Sequence, residues 1–387
     1  MQSPNQNSTA EKQISMATDL QHAGKDHRVG TGLVSATENA VTFQSASTTD
    51  LPVYSRLGNT ANHREVEAML ARLHHADQSI ATGSGMSCLT LILTTMLKPG
   101  DHVLVVDVCY GGTYNLLTKV YSRWGIESSF QPIKNWGAHL KPNTRMVIFE
   151  SITNPFCSPQ DIGAAIGFAK KHQLISVCDN TFASPALCKP LLHGADLVFE
   201  SATKYLNGHS DVIAGMITGS NEHMNQLRPP HAYLGTFLPP YQCTQLLRGI
   251  RTLELRMEAH SRSGQAFADA LRQSPLVAEV SHGLEQGHSA SKFYKRGFGG
   301  MVSVKFSKSI DVKKLMCAMR LVTNVPSLGG TESTATMPSY STNWFMTDAE
   351  KSRYGIDDQL VRFSIGLETA EDLIEDVLTA AKSCQRN

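Results

Sequence analysis

Apolar residues recur along this chain in two rhythms. Over 63–76, Val66, Met69, Leu70 and Leu73 fall at i, i+3, i+4 and i+7, the spacing of one helix face. The second rhythm is a set of short unbroken apolar runs at 102–106, 146–149, 174–178 and 197–199. A helical pattern at 87–97 precedes the first run, and helical segments, notably 162–172, separate the others. Continuous apolar strands alternating with helices predict an α/β domain whose mostly parallel sheet is covered on both faces.

The last third reads differently. A long helical pattern covers 246–270 and is expected to lead out of the large domain. Residues 300–306 alternate as a half-buried strand, 312–321 read as a helix, 361–366 as another strand and 370–382 as a closing helix. This predicts a smaller α+β C-terminal domain. At the other end, residues 1 to about 16 are polar and expected to be disordered. Residues 14–50 show little periodicity, and 30–48 read as an extended arm. A polar turn at 53–59 follows. The chain of 387 residues exceeds one ordinary core, and we divide it into an arm (1–62), a large α/β domain (63–256) and a C-terminal domain (257–387).

Composition removes several function classes. The net charge of +1 implies no general attraction to nucleic acid or to a membrane surface. No apolar run reaches the roughly 18 residues that cross a bilayer. The opening MQSPNQNSTAEKQ lacks the apolar core of a secretory signal. Eight scattered cysteines form no CxxC pair and read as reduced, mostly buried thiols, so a cytoplasmic location is expected. The histidines are not grouped with cysteines at ligand spacing, and no metal site is expected.

The candidate chemistry centres on SATKYLNGHSD, 201–211. Lys204 follows an apolar run, with Ser201 and Thr203 just before it. A lysine at the end of a buried strand loses its proton more easily through desolvation, and can then form a Schiff base with an aldehyde. Taken alone, a lysine after a strand is more often a surface residue. Ser84-Gly85-Met86 runs into a helix N-terminus, where free N–H groups and the helix dipole suit an anion. Arg56, beside Tyr54, suits bidentate phosphate binding, although an exposed loop arginine reads equally well there. Tyr110, Asn154, Asp179 and Lys204 each follow a different predicted strand. Ligands of open α/β sheets bind at the carboxyl ends of strands, and four candidates at that edge agree with one site.

With these residues assembled, the chain resembles the transsulfuration (Cys/Met metabolism) family of enzymes that use pyridoxal 5'-phosphate (PLP), including cystathionine γ-lyase, cystathionine γ-synthase, cystathionine β-lyase and methionine γ-lyase. The resemblance runs from about residue 50 to the end. It rests on YSRLGN (54–59), GSGM (83–86), CYGGT (109–113), ESITNP (150–155), CDNTFASP (178–185), SATKYLNGHSD (201–211), SLGGTES (327–333) and LVRFSIGLE (360–368), which are specific in their joint order and spacing. It implies the PLP-dependent transferase fold of type I, like that of aspartate aminotransferase.

The resemblance also implies roles. Lys204 holds the cofactor and shuttles protons. Asp179 pairs with the pyridinium nitrogen. Tyr110 stacks on the ring and acts as acid or base. Ser84, Gly85, Met86, Ser201 and Thr203 cradle the phosphate. Tyr54 and Arg56 reach the site of a neighbouring subunit, so a homotetramer built as a dimer of dimers is implied. Arg362 clamps the α-carboxylate of an amino-acid substrate, with Asn154, the Ser327 loop and Tyr54 around it. Asn154 also borders the cofactor.

Three residues depart from the family pattern. Thr60 stands where proline is usual, Asn115 where an arginine is frequent, and Pro326 where relatives carry an acid, an apolar residue or tyrosine. The arm before Val53 also lacks the proline-rich pattern common in the family. The implied activity is γ-elimination or γ-replacement on a homoserine- or homocysteine-type L-amino acid, such as cystathionine or an acylated homoserine. The alternatives are a β-lyase, a specialised biosynthetic γ-substitution enzyme, and a non-catalytic homologue that binds without reacting.

Overall fold

The computed structural model describes residues 15–25, 32–44 and 51–386. The polar start expected to be disordered lies, over 1–14, outside the described residues, as do parts of the arm at 26–31 and 45–50. The described arm, 32–44, is almost free of regular structure. One helix was not legible: α1, Met16–His22, which opens on Ser15 and buries Leu20. At seven residues it is too short to hold itself in water. It exists by packing on α2, Ala61–His74, where Arg72 Nε meets Asp19 Oδ1 at 2.9 Å.

The unbroken apolar runs become the centre of a seven-stranded sheet. Its strands are β1 (Gln78–Thr82), β2 (His102–Val105), β3 (Glu127–Phe130), β4 (Thr144–Glu150), β5 (Ile175–Asp179), β6 (Leu197–Glu200) and β7 (Gly215–Gly219). Their order is β1-β7-β6-β5-β4-β2-β3, and only β7 runs against the others. β6 and β7 are buried along their whole length, which is why they show no alternation. α3, Gly85–Met96, and the helix Ile162–Lys171 lie among the elements that cover the sheet.

A second sheet gathers β8 (Val277–Ser281), β9 (Met301–Phe306), β10 (Thr323–Asn324), β11 (Thr334–Thr336) and β12 (Leu360–Ser364) in the order β10-β11-β12-β9-β8. It is antiparallel except for the β10–β11 pair. β9, expected to be half-buried, is almost wholly buried. Val302, Val304 and Phe306 enter this sheet's own core, while Met301 belongs to the core of the large sheet. Among the described residues, no helix is long and apolar enough to cross a membrane.

The single helix expected over 246–270 is two helices, Pro240–Ile250 and Leu253–Arg272. The break has a steric cause. Gly249 sits against the backbone of Asn207, where any side chain would overlap the Asn207 carbonyl. The chain then turns, with Thr252 N donating to Gly249 O at 3.3 Å. The second helix joins the two cores, giving Leu253 and Met257 to one and Phe267, Ala268 and Leu271 to the other.

Arg256, on that second helix, pins the segment carrying Lys204. Its buried guanidinium donates to Tyr205 O at 2.7 Å, Leu206 O at 3.3 Å and Gly249 O at 2.8 Å. Gly208 has φ +73°, and a Cβ there would collide with the same guanidinium. Hydrogen bonds to a charged donor contribute about 1.5–3 kcal/mol each, and their loss strands buried carbonyls. Arg256→Met is therefore expected to lower the stability of the cofactor-free protein by about 3 kcal/mol or more, read by urea unfolding. A loss below about 1 kcal/mol would show that other contacts hold this segment.

Candidate active site

Four strands deliver the predicted residues to one edge. Asp179 is the last residue of β5, Lys204 lies beyond β6, Asn154 beyond β4 and Tyr110 beyond β2. All four line a single cavity of about 1190 Å³. So do Ser84, Gly85, Met86, Ser201, Thr203, Ser327 and Arg362. Tyr54 and Arg56 do not line it. Arg56 Nη1 donates to Ala232 O at 2.7 Å, and its guanidinium lies 5.5 Å from the Tyr54 ring centre.

One side of the cavity is built for an anion. Ser84 caps α3, its Oγ accepting from Ser87 N at 3.0 Å. Gly85 and Met86 occupy the first two helical positions, where an amide N–H has no acceptor within the helix. A Cβ on Gly85 would stand 2.8 Å from Ser201 Cβ, so glycine lets the two loops close around this spot. Thr203 is less available. Its Oγ1 donates to Ala214 O at 3.2 Å and accepts from Ala214 N at 3.1 Å, so it first of all orders the lysine loop.

On the floor, Asp179 Oδ1 accepts from Thr181 N at 2.9 Å and from Thr181 Oγ1. Among the described residues no ion pair reaches this carboxylate, and burial pushes its pKa up to about 6. It is a half-buried acceptor suited to a cationic or N–H partner inside the cavity. Tyr110 covers Gly112, where a side chain would overlap the phenol ring. Burial first, then the charge of Asp179, raises the Tyr110 pKa and keeps its hydroxyl protonated.

Lys204 Nζ donates to Ser327 Oγ at 2.6 Å. Burial and then the nearby Arg362 lower its pKa from 10.5 to about 8. Ser327 has φ +91°, a strained conformation for a residue with a side chain. Arg362, on β12, is 3 % exposed; it donates to Asn154 Oδ1 at 2.8 Å and to Ser327 O at 3.2 Å. Its Nε is buried with no partner among the described residues, and no carboxylate pairs with it. A buried guanidinium in that state is suited to an incoming carboxylate.

Sequence reasoning missed two supporting groups and a wall. Glu150, the last residue of β4, is paired in register with Asp179 and 5 % exposed. It accepts from Tyr110 N at 2.6 Å and from Asn154 N at 2.9 Å, so one carboxylate fixes two loops. Glu150 opens the ESITNP stretch, but an acid ending an apolar strand carries no local mark of this role. Thr181 accepts from Ser201 N at 2.9 Å and so links the Asp179 floor to the anion side. The apolar wall of Met316, Met337, Tyr340, Trp344 and Phe345 had no sequence signal.

A sequence model of the family described as Cys/Met metabolism PLP-dependent enzyme matches residues 18–382. Cystathionine beta-lyase of Lactococcus lactis subsp. cremoris is 37% identical over 334 residues, which is 84% of this chain and 87% of that protein. Cystathionine gamma-lyase of Mus musculus is 37% identical over 339 residues, 85% of each chain. Among solved structures, cystathionine gamma synthase from Xanthomonas oryzae pv. oryzae, in complex with aminoacrylate and cysteine, superposes with a TM-score of 0.91 at 30% identity, covering 96% of this chain and 99% of that one. The anion-binding helix start, the floor carboxylate and the buried lysine fit the phosphate, ring nitrogen and aldehyde of pyridoxal phosphate. With nearly its whole length matched, this chain is an enzyme of the Cys/Met metabolism PLP-dependent family.

Proposed function

We propose that this enzyme performs γ-elimination or γ-replacement on an L-homoserine derivative, with an acylated homoserine favoured over cystathionine. The observation that carries this is the outer end of the cavity. Among the described residues its lining carboxylates are Glu150 and Asp179, which sit at the inner strand ends, and Pro326 supplies neither charge nor N–H next to Ser327. A distal ammonium such as that of cystathionine finds no anionic partner there. Asn115, also lining the cavity, brings no positive charge to the distal carboxylate.

When bound, pyridoxal phosphate supplies an electron sink that acidifies the substrate's Cα–H. The residues of this chain do the rest. Gly85, Met86 and Ser201 hold the phosphate, with Thr203 ordering their loop. Asp179 holds the ring nitrogen, where a positive charge offsets the cost of its half-buried carboxylate. Arg362 grips the α-carboxylate while Asn154 and Ser327 O fix the guanidinium's orientation. Lys204 Nζ, with its lowered pKa, takes the proton from Cα and moves it along the same face. Tyr110, kept as a phenol, donates a proton to the leaving group at Cγ.

Incubating the holoenzyme with O-acetyl-L-homoserine, cystathionine, methionine and cysteine, and identifying every product, tests this reading. A kcat/KM for acetylhomoserine at least tenfold above that for cystathionine is expected. Pyruvate as the main product from cystathionine would instead make the enzyme a β-lyase. In the same assay Arg362→Lys keeps the charge but loses the two-pronged grip, worth about 1.5–3 kcal/mol. KM should rise roughly tenfold or more, with cofactor content unchanged.

A second prediction follows from Lys204. The neutral amine attacks the aldehyde, so capture of pyridoxal phosphate by the cofactor-free protein should speed up as pH rises through about 8. Stopped-flow absorbance reads the midpoint. A midpoint near 10.5, the ordinary value for lysine, would contradict a desolvated Lys204.

Tyr54 and Arg56 stay outside their own chain's cavity, which supports their acting on the phosphate of a second copy in a dimer of dimers. Arg56→Ala and Lys204→Ala subunits, each inactive or weak, should recover activity when mixed into heterodimers. No recovery in demonstrated heterodimers would place Arg56 in its own subunit's service.

A further inference from the structure

The cavity is larger than the roughly 300–1,000 Å³ of most ligand sites, and its outer lobe has a distinct chemistry. Ile213, Met316, Met337, Tyr340, Trp344 and Phe345 line it. The segment carrying Trp344 and Phe345 folds down on the Tyr110 loop. Thr342 O and the Phe345 ring lie so close to Gly111 that no side chain fits there. Phe345 stacks on Tyr114 at 5.9 Å, and Tyr114 packs on Phe130 at 4.8 Å, so the wall is anchored in the large domain. Trp344 is nevertheless 70 % exposed and Tyr340 56 % exposed. Large apolar rings left in contact with water at the mouth of a cavity mark a binding surface.

The polar groups of this lobe are already engaged. Among the described residues Lys313 is the one charged side chain lining it; its ammonium lies 3.4 Å from Asp358 Oδ2 and 4.8 Å from the centre of the Tyr340 ring. The Tyr340 hydroxyl donates to Asp358 Oδ2 at 2.8 Å. Asp358 is already shared by Lys313 and the Tyr340 hydroxyl, so an amino-acid nucleophile would desolvate its ammonium here with no lining carboxylate free to receive it. An apolar body meets two thioethers and three aromatic rings, a surface that accepts varied shapes.

We propose that the outer lobe binds the apolar body of the incoming nucleophile, so that the enzyme makes γ-thioethers from hydrophobic thiols in preference to cysteine. This rests on the reading of the enzyme as acting on acylated homoserine. The Cγ–O bond breaks with its electron pair going to the departing carboxylate. The thiol sulfur supplies the pair for the new S–Cγ bond, and its proton leaves with the carboxylic acid. Nothing is oxidised or reduced.

The test uses holoenzyme with O-acetyl-L-homoserine and either 1-hexanethiol or L-cysteine, measuring thioether and 2-oxobutanoate together. Hexanethiol should give a kcat/KM at least tenfold above that of cysteine. Trp344→Ala and Phe345→Ala should each shift the product ratio from thioether towards 2-oxobutanoate at least fivefold, a partition that general destabilisation would not move. Hexyl methyl sulfide, which cannot react, should bind wild type in calorimetry with a negative heat-capacity change and bind Trp344→Ala at least tenfold more weakly. Equal or better use of cysteine, or no sulfide binding, overturns the proposal. If Trp344→Ala instead breaks the assembly apart and wild type binds no sulfide, the wall is a contact between copies and the proposal also fails. No product from acetylhomoserine with any thiol, while the sulfide still binds at Trp344, would reject the acylhomoserine reading and leave the apolar subsite standing.

Discussion

The parallel pairing of β4, β5 and β6 is the constraint on which the rest of this molecule depends. In-register pairing sets Glu150 beside Asp179 at the same sheet edge, and the segment after β6 brings Lys204 to them. A one-residue slip of β5 would turn its whole side-chain pattern over. Asp179 would then enter the packed face, and an apolar residue would take its place in the cavity. Burial on both faces makes such a slip costly, so the hydrophobic packing of the sheet is also what aims the carboxylate.

Among the described residues, the ionisable groups at that edge have hydrogen bonds but no ion-pair partner. Glu150 has its pKa raised well above the usual carboxylate range, by burial and by Asp179 beside it. Arg362 and Lys204 have theirs lowered, burial being the main cause in both. Each of these groups costs folding stability that a ligand of the right charge restores. The scaffold bears the strain through a few fixed ties. Glu150 holds the amides of Tyr110 and Asn154, Thr181 joins the floor to the phosphate side, and Arg256 clamps the carbonyls after Lys204. Ser327, at φ +91°, is held between Lys204 and Arg362 in the same way.

The second sheet contributes selectivity. Arg362 comes from β12, and the wall of Met316, Met337 and Tyr340 comes from the segments around it. The helix Leu253–Arg272 enters both cores, so the two halves of the site are set against each other by shared packing as well as by loops. The departures from the family pattern divide along the same line. Thr60 is absorbed locally: its Oγ1 bonds His63 Nδ1 at 2.8 Å, and His63 Nε2 reaches Leu238 O. Asn115 and Pro326 face the cavity and bear on what enters it.

Much of this was legible in the sequence. Uninterrupted apolar runs require burial on both faces, and that alone implied the parallel sheet and placed Tyr110, Asn154, Asp179 and Lys204 at one edge. The edge strands β1, β3, β8 and β10, together with β11 and the antiparallel β7, were missed, because short strands beside glycines and polar residues carry no period of their own. The helix running through 251–252 was misread because the apolar rhythm continues across a break that only the approach of Asn207 to Gly249 creates. Residue types pointed to candidates for an inner site, and the structure gathers most of them around one cavity. The tying role of Glu150 and the apolar outer wall were decided by tertiary structure alone. Glu150 reaches Tyr110 across 40 residues and the Tyr114 hydroxyl meets Glu350 across 236, and such contacts leave no mark on local hydrophobic spacing.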